Sequence, residues 1–193
     1  MKSKLILMIA TLAALCLSLA MPAAADDKNS NIGLKLNLGF GSRDVPTSQN
    51  LEKGDVAALS LGYGVSQRVT LWLGVNASDH IHEDNRNLKS GLVGLELEVQ
   101  YKLRPHQKVR PYGKFGLGTF FLGSEGTILN GGGVTWALGA EYRLARFLTV
   151  GAEFFWKDFD YTKQQIGKDN DFEDLESPVL GNTKGFMLTF TLH

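Results

Sequence analysis

The sequence predicts an all-β chain: eight antiparallel strands, connected up and down and closed into a transmembrane β-barrel. Three observations predict it. Apolar and polar residues alternate with period 2 in repeated runs between residue 32 and the C-terminus, so successive side chains point to opposite faces of a pleat. Each run is about ten residues long, which is what a tilted strand needs to cross a bilayer. Short turns alternate with longer polar stretches, as in consecutive hairpins whose long connections all gather at one end.

The stretch 137–156, ALGAEYRLARFLTVGAEFFW, shows the pattern best. Leu138, Ala140 and Tyr142 share one face and Gly139, Glu141 and Arg143 the other. After a turn at 144–146, Leu148, Val150, Ala152, Phe154 and Trp156 oppose Thr149, Gly151, Glu153, Phe155 and Lys157. In chain order, 32–41 reads as strand one, with Ile32, Leu34, Leu36, Leu38 and Phe40 on one face. Residues 42–54 are polar, contain a proline and read as a loop. A hairpin follows over 57–77, turning near 64–67. Residues 78–90 read as a charged loop, and a second hairpin turns near 104–108. A Gly-rich loop is expected at 123–133, and the third hairpin follows it. The longest loop is expected at 158–184, which is acidic, and 185–193 closes the chain as strand eight. The first arm of each hairpin ends its apolar face on a tyrosine, Tyr63, Tyr101 or Tyr142, as an interfacial aromatic girdle would.

Residues 1–25 read as a cleaved signal peptide. Lys2 and Lys4 precede the apolar run 5–20, and Ala23-Ala24-Ala25 supplies an A-x-A site. Residues 26–193 then form one barrel domain. Cys16 lies in the apolar run, so the mature chain has no thiol chemistry. Without Lys2 and Lys4 its formal charge is about −2, which gives no reason to expect a nucleic-acid partner.

A soluble barrel also alternates, with its apolar face inward. Here the apolar face carries almost no charge along any strand, whereas the polar face holds many glycines and charges of both signs. A water-facing exterior would not look like that. The polar face is therefore assigned to the lumen, and no long apolar helix remains after the signal. A closed barrel is then the way these strands cross lipid with every backbone group paired.

The segments RPYGKFGLG (110–118), LGAEYRL (138–144), LTVGAEFFW (148–156) and the C-terminal GFMLTFTLH carry a resemblance. The chain resembles the small eight-stranded outer-membrane barrels, the OmpA transmembrane-domain, OmpX and OmpW-like group. The resemblance covers essentially the whole mature chain. It implies residence in the cell outer membrane of a Gram-negative bacterium, short periplasmic turns and long outer loops. It also implies insertion by the barrel-assembly machinery and usually no enzymatic activity. Such proteins commonly end on an aromatic residue facing lipid; here Leu192 takes that face and His193 follows as an extra residue.

No constellation in the sequence carries chemistry. His80 and His82, beside Ser78, Asp79 and Glu83, read as part of a solvated charged loop. An H-x-H pair without a third ligand makes a poor metal site. Asp169, Asp171, Glu173 and Asp174 lack calcium-loop spacing. Catalytic, metal and cofactor sites are accordingly expected to be absent. What remains is a lumen charge network: Lys35, Glu96, Glu98, Lys102, Arg110, Lys114, Glu141, Arg143, Glu153 and Lys157. Folding the second hairpin about His106 would place Glu98 opposite Lys114 and Lys102 opposite Arg110. Glu96, Glu141 and Glu153 would then offset the Lys102, Arg110 and Arg143 cluster. Trp72 and Phe155 are expected to fill the lumen.

The functional expectation is a non-enzymatic barrel with a filled lumen whose loops serve envelope integrity, adhesion or partner binding. The alternative is a narrow channel for small or hydrophobic solutes. A lipid A acyl-chain-modifying enzyme ranks last. The expected partners are outer-membrane lipid, lipopolysaccharide and, during biogenesis, the assembly machinery, with the protein acting as a monomer.

Overall fold

The computed structural model describes residues 31–45, 51–82, 89–124, 126–167 and 171–193. The expected signal peptide, 1–25, lies outside them, as does Asp169. Eight strands follow one another: β1 (Gly33–Asp44), β2 (Gly54–Gly64), β3 (Val69–Ile81), β4 (Lys89–Lys102), β5 (Val109–Ser124), β6 (Thr127–Arg143), β7 (Leu148–Ile166) and β8 (Glu173–Leu192). Each pairs antiparallel with its sequence neighbours, and β1 pairs with β8, closing the ring. Closure leaves the paired part of the wall without an edge.

The connections β2–β3, β4–β5 and β6–β7 gather at one end, here the turn end, with Asn31 and His193. They turn tightly: Val65 and Ser66 donate to the Val69 carbonyl, and Leu144 and Ala145 to that of Leu148. The opposite, loop end differs from expectation at all four connections. β1 runs to Asp44, β3 runs to Ile81 and β4 starts at Lys89, inside stretches 42–54 and 78–90 that read as loops. The other two differences are larger. Residues 123–133 are not a loop; β5 runs to Ser124 and β6 starts at Thr127, with Gly126 taking the positive φ (85°) that the tight connection needs. Nor is 158–184 a loop: β7 continues to Ile166 and β8 begins at Glu173. The alternation persists there, with Phe159 and Tyr161 buried while Asp158 and Asp160 are exposed. Beyond the bilayer a strand faces water on its outside, so charged outward residues lengthen the sheet rather than end it. β5 to β8 (16 to 20 residues) therefore rise beyond the shorter β1 to β4.

Outside, the wall is an apolar band. Leu34, Leu97, Leu117 and Leu138 are each 60–69% exposed. Such a continuous apolar surface suits lipid, not water. Tyr63, Tyr101 and Tyr142 all point outward at the turn end. Asp55 opposite Asp79, Asp158, and Asp44 opposite Lys184 border the band at the loop end.

Candidate functional site: the filled lumen

The inward residues fill the barrel in tiers. Glycines on one strand make room for large side chains on the next. A Cβ at Gly62 would run into the Trp72 ring, and one at Gly139 would meet Tyr112. Phe120 similarly needs Gly94 and Gly118.

At the turn end, Lys102 donates to Glu141 Oε1 (2.6 Å) and to Asn31 Oδ1 (2.7 Å), and Arg110 reaches the same carboxylate at 3.4 Å. Lys35 is buried close by, and Arg143 lies half-buried on the same face of β6. His193 is not an appendage. Its backbone N–H donates to the Phe147 carbonyl (3.0 Å), and Lys35 Nζ lies 2.5 Å from Nδ1. Its other ring nitrogen, Nε2, lies 2.8 Å from Thr149 Oγ1, so both nitrogens have a hydrogen-bond partner. Burial, then Lys35 and Lys102, hold the His193 imidazole down at about 2.

In the middle tier, Lys114 bridges Glu153 (2.8 Å) and Glu98 (3.8 Å). Tyr112 donates to Glu153 Oε2 (2.8 Å), Thr135 to Glu98 (3.3 Å), and Trp72 Nε1 to Gln100 Oε1 (2.9 Å). Above it Lys157 pairs with Glu96 and lies 5.1 Å from the centre of the Phe155 ring. Arg43 donates to Asn76 and to Ser78 Oγ (3.1 Å) and stacks near Phe155. The loop end is closed by an apolar plug: Val45, Leu51, Leu92, Phe120, Leu122, Phe159 and Tyr161, with Phe120 and Phe159 stacked at 4.3 Å.

The ten residues of the expected network all face inward, but two expected relations need correction. The β4–β5 register places Lys102 opposite Tyr112, Gln100 opposite Lys114 and Glu98 opposite Gly116, two residues away from the fold about His106. Leu103 donates to the Pro111 carbonyl (2.9 Å), so pairing continues past Lys102 and the hairpin turns about Gln107. A two-residue shift keeps every side chain on its face. The Glu98–Lys114 contact survives as a diagonal one, and Glu153 is the nearer partner. Second, of the three expected carboxylates it is Glu141 that pairs with the turn-end cations Lys102 and Arg110. Glu96 and Glu153 engage Lys157 and Lys114 instead. Six residues of strand separate Glu96 from Lys102, roughly 20 Å.

Sequence reasoning missed Arg43, which 42–54 hid as a loop; it is 1% exposed and continues the inward alternation of Lys35 and Asn37. His80 was also misplaced. It is not solvated but buried in β3, sharing a hydrogen bond with Ser78 Oγ (2.9 Å) and facing the Glu52 carbonyl (3.0 Å). Its inward position follows from its even parity with Trp72 and Asn76. His82 bonds Ser90 Oγ at 2.8 Å. Among the described residues no group of His, Cys, Asp and Glu is arranged to hold a metal ion.

A family model described as "Outer membrane protein beta-barrel domain" matches residues 10–185. The chain belongs to that family. Several solved structures share its fold. Neisserial surface protein A is 15% identical, with 83% of this chain and 96% of that one covered and a TM-score of 0.56. OprG from Pseudomonas aeruginosa is 13% identical over 86% and 98%, TM-score 0.58. The attachment invasion locus protein Ail of Yersinia pestis is 11% identical over 83% and 98%, TM-score 0.52. No curated protein sequence matches the chain. Family and fold place the barrel in the cell outer membrane.

Proposed function

We propose that this is a sealed, non-enzymatic outer-membrane barrel whose tall β5–β8 sheet and loop end form the working surface outside the cell. The carrying observation is the closed interior. A cavity inside the barrel, bordered by Arg43, Glu96, Lys114 and Glu153, measures about 20 Å³, close to the least that holds a water. Ion pairs of Lys114 with Glu153 and Lys157 with Glu96 line it, the Lys102–Glu141–Arg110 cluster fills the space toward the turn end, and the Phe120–Phe159–Tyr161 plug closes the space above. A barrel that transports nothing can still use what it displays, and β7 and β8 hold an extended face of exposed residues beyond the apolar band. The turn end, with Asn31 and His193, faces the periplasm; the loop end, with its bordering aspartates, faces outward. Outer-leaflet lipid and lipopolysaccharide surround the barrel, the assembly machinery inserts it, and it works as a monomer.

The enzyme reading has less support. Ser78 and His80 are hydrogen-bonded, but both are buried on the inner face, at the level of the plug and just beyond it, away from any acyl chain in the bilayer. Liposomes carrying the folded barrel test the proposal: in iso-osmotic arabinose they should swell no faster than empty ones. Swelling that scales with the barrel content would favour the channel reading.

A further inference from the structure

We propose that the outer wall at the loop end binds a phosphate-bearing lipid of the outer leaflet, with Lys53 and Lys184 on the phosphate and Phe154, Trp156 and Phe186 against its acyl chains. The inference rests on the orientation proposed above. Strand register builds the site. Asp44 of β1 stands opposite Lys184 of β8, and Ser42 opposite Phe186. Arg43 stands opposite Gly54, so Lys53, one residue earlier, falls beside Asp44 across the β1–β2 seam. Lys184 in turn stands opposite Trp156, and Phe186 opposite Phe154, their rings 5.1 Å apart. Two ammonium groups thus sit in one row with Trp156 and on the water side of the Phe154 and Phe186 rings, and one open concavity of about 360 Å³ joins all five side chains.

The charges are available. Asp44 is the carboxylate lining the site, and its pair with Lys184 spans 3.9 Å with the side chains 47% and 68% exposed. Such a pair contributes little and exchanges readily. Lys53 makes no ion pair among the described residues, so the site keeps a net positive charge. The flanking rim is acidic: Asp55 faces Asp79, and Asp158 and Asp160 follow Trp156 along β7. A lipid phosphate approaching this rim is repelled on both flanks and attracted between them. Lysine serves as a point-charge partner for phosphate, and aromatic rings at this depth match the top of the acyl layer. Cation above and ring below match a phosphorylated lipid, not a free phosphate.

The test titrates the full mature barrel, in nonionic detergent, with dioleoyl phosphatidic acid, and follows bound lipid by native mass spectrometry. Dioleoylglycerol and inorganic phosphate serve as separate probes. Phosphatidic acid should be retained as a single adduct, and K53A/K184A should weaken it by about thirtyfold. K163A should leave it unchanged, and the other two probes should bind at least about tenfold more weakly. An unchanged affinity in the double variant overturns the proposal. Dioleoylglycerol binding equally well does so too, because the phosphate then plays no part; so does inorganic phosphate, because the rings then play none. Unboiled gel mobility checks that the variant is folded, and K53Q/K184Q replaces it if not. Surface tagging reads the orientation independently: a reversed barrel would keep this affinity in detergent while placing the site in the inner leaflet.

Discussion

Lys114→Met should destabilise the barrel strongly, and the way it is rescued should identify the residue's principal partner. Lys114 is buried between two carboxylates, 2.8 Å from Glu153 and 3.8 Å from Glu98. Removing the ammonium leaves both carboxylates in the lumen without their cation, at a cost of about 3–5 kcal/mol. In a chain of this size that lowers the midpoint of thermal unfolding by roughly 10 °C. Coulomb attraction scales inversely with distance, so Glu153 should couple about 1.4 times more strongly than Glu98. Adding Glu153→Gln to Lys114→Met should therefore restore more stability than adding Glu98→Gln, since glutamine can still accept from Tyr112. The charge swap of Lys114→Glu with Glu98→Lys should fail, because Glu153 would keep a second carboxylate beside it. Equilibrium urea unfolding followed by tryptophan fluorescence, with unboiled gel mobility as a check, gives each value. A loss below about 1 kcal/mol, or better rescue through Glu98, would refute the reasoning.

Three further outcomes follow from other parts of the barrel. His193 is neutral when folded, its imidazole held at about 2, while the unfolded chain takes up a proton near its ordinary value of about 6.5. Its contribution to stability is thus present above about pH 6.5 and is lost as pH falls below it; His193→Gln should flatten the pH dependence of unfolding between about pH 6.5 and 4, and an unchanged slope would contradict the placement. Gly62→Ala should push Trp72 out of its seat and away from Gln100, costing about 1–3 kcal/mol with a shift in tryptophan emission. An epitope tag after Gly167 should be labelled on intact cells while one at Gln107 should not; the reverse would invert the orientation.

Most of the fold was legible because lipid and a crowded lumen impose opposite demands on alternate residues. Leu71, Leu73 and Val75 set against Trp72 and Asn76 can be read only one way. The tight turns at one end were legible for the same reason: the pattern breaks there. The loop end was not, because above the membrane the outward residues meet water, and Asp158 and Asp160 look like loop although Phe159 and Tyr161 still point inward. Arg43 was lost to the same ambiguity, between Ser42 and Asp44. The β4–β5 register depends on where a hairpin turns, and the hydrogen bond from Leu103 to Pro111 that decides it leaves no compositional trace. Which carboxylate meets which ammonium depends on that register and on strands far apart in sequence, such as Glu96 and Lys157.

Single-channel recording of the folded protein in planar bilayers tests the sealed lumen most directly. The interior should pass no resolvable current, while Phe120→Ala combined with Phe159→Ala and Lys157→Ala, which removes the plug and the upper ion pair, should begin to conduct. Stable unitary conductance from the unaltered barrel would contradict the account.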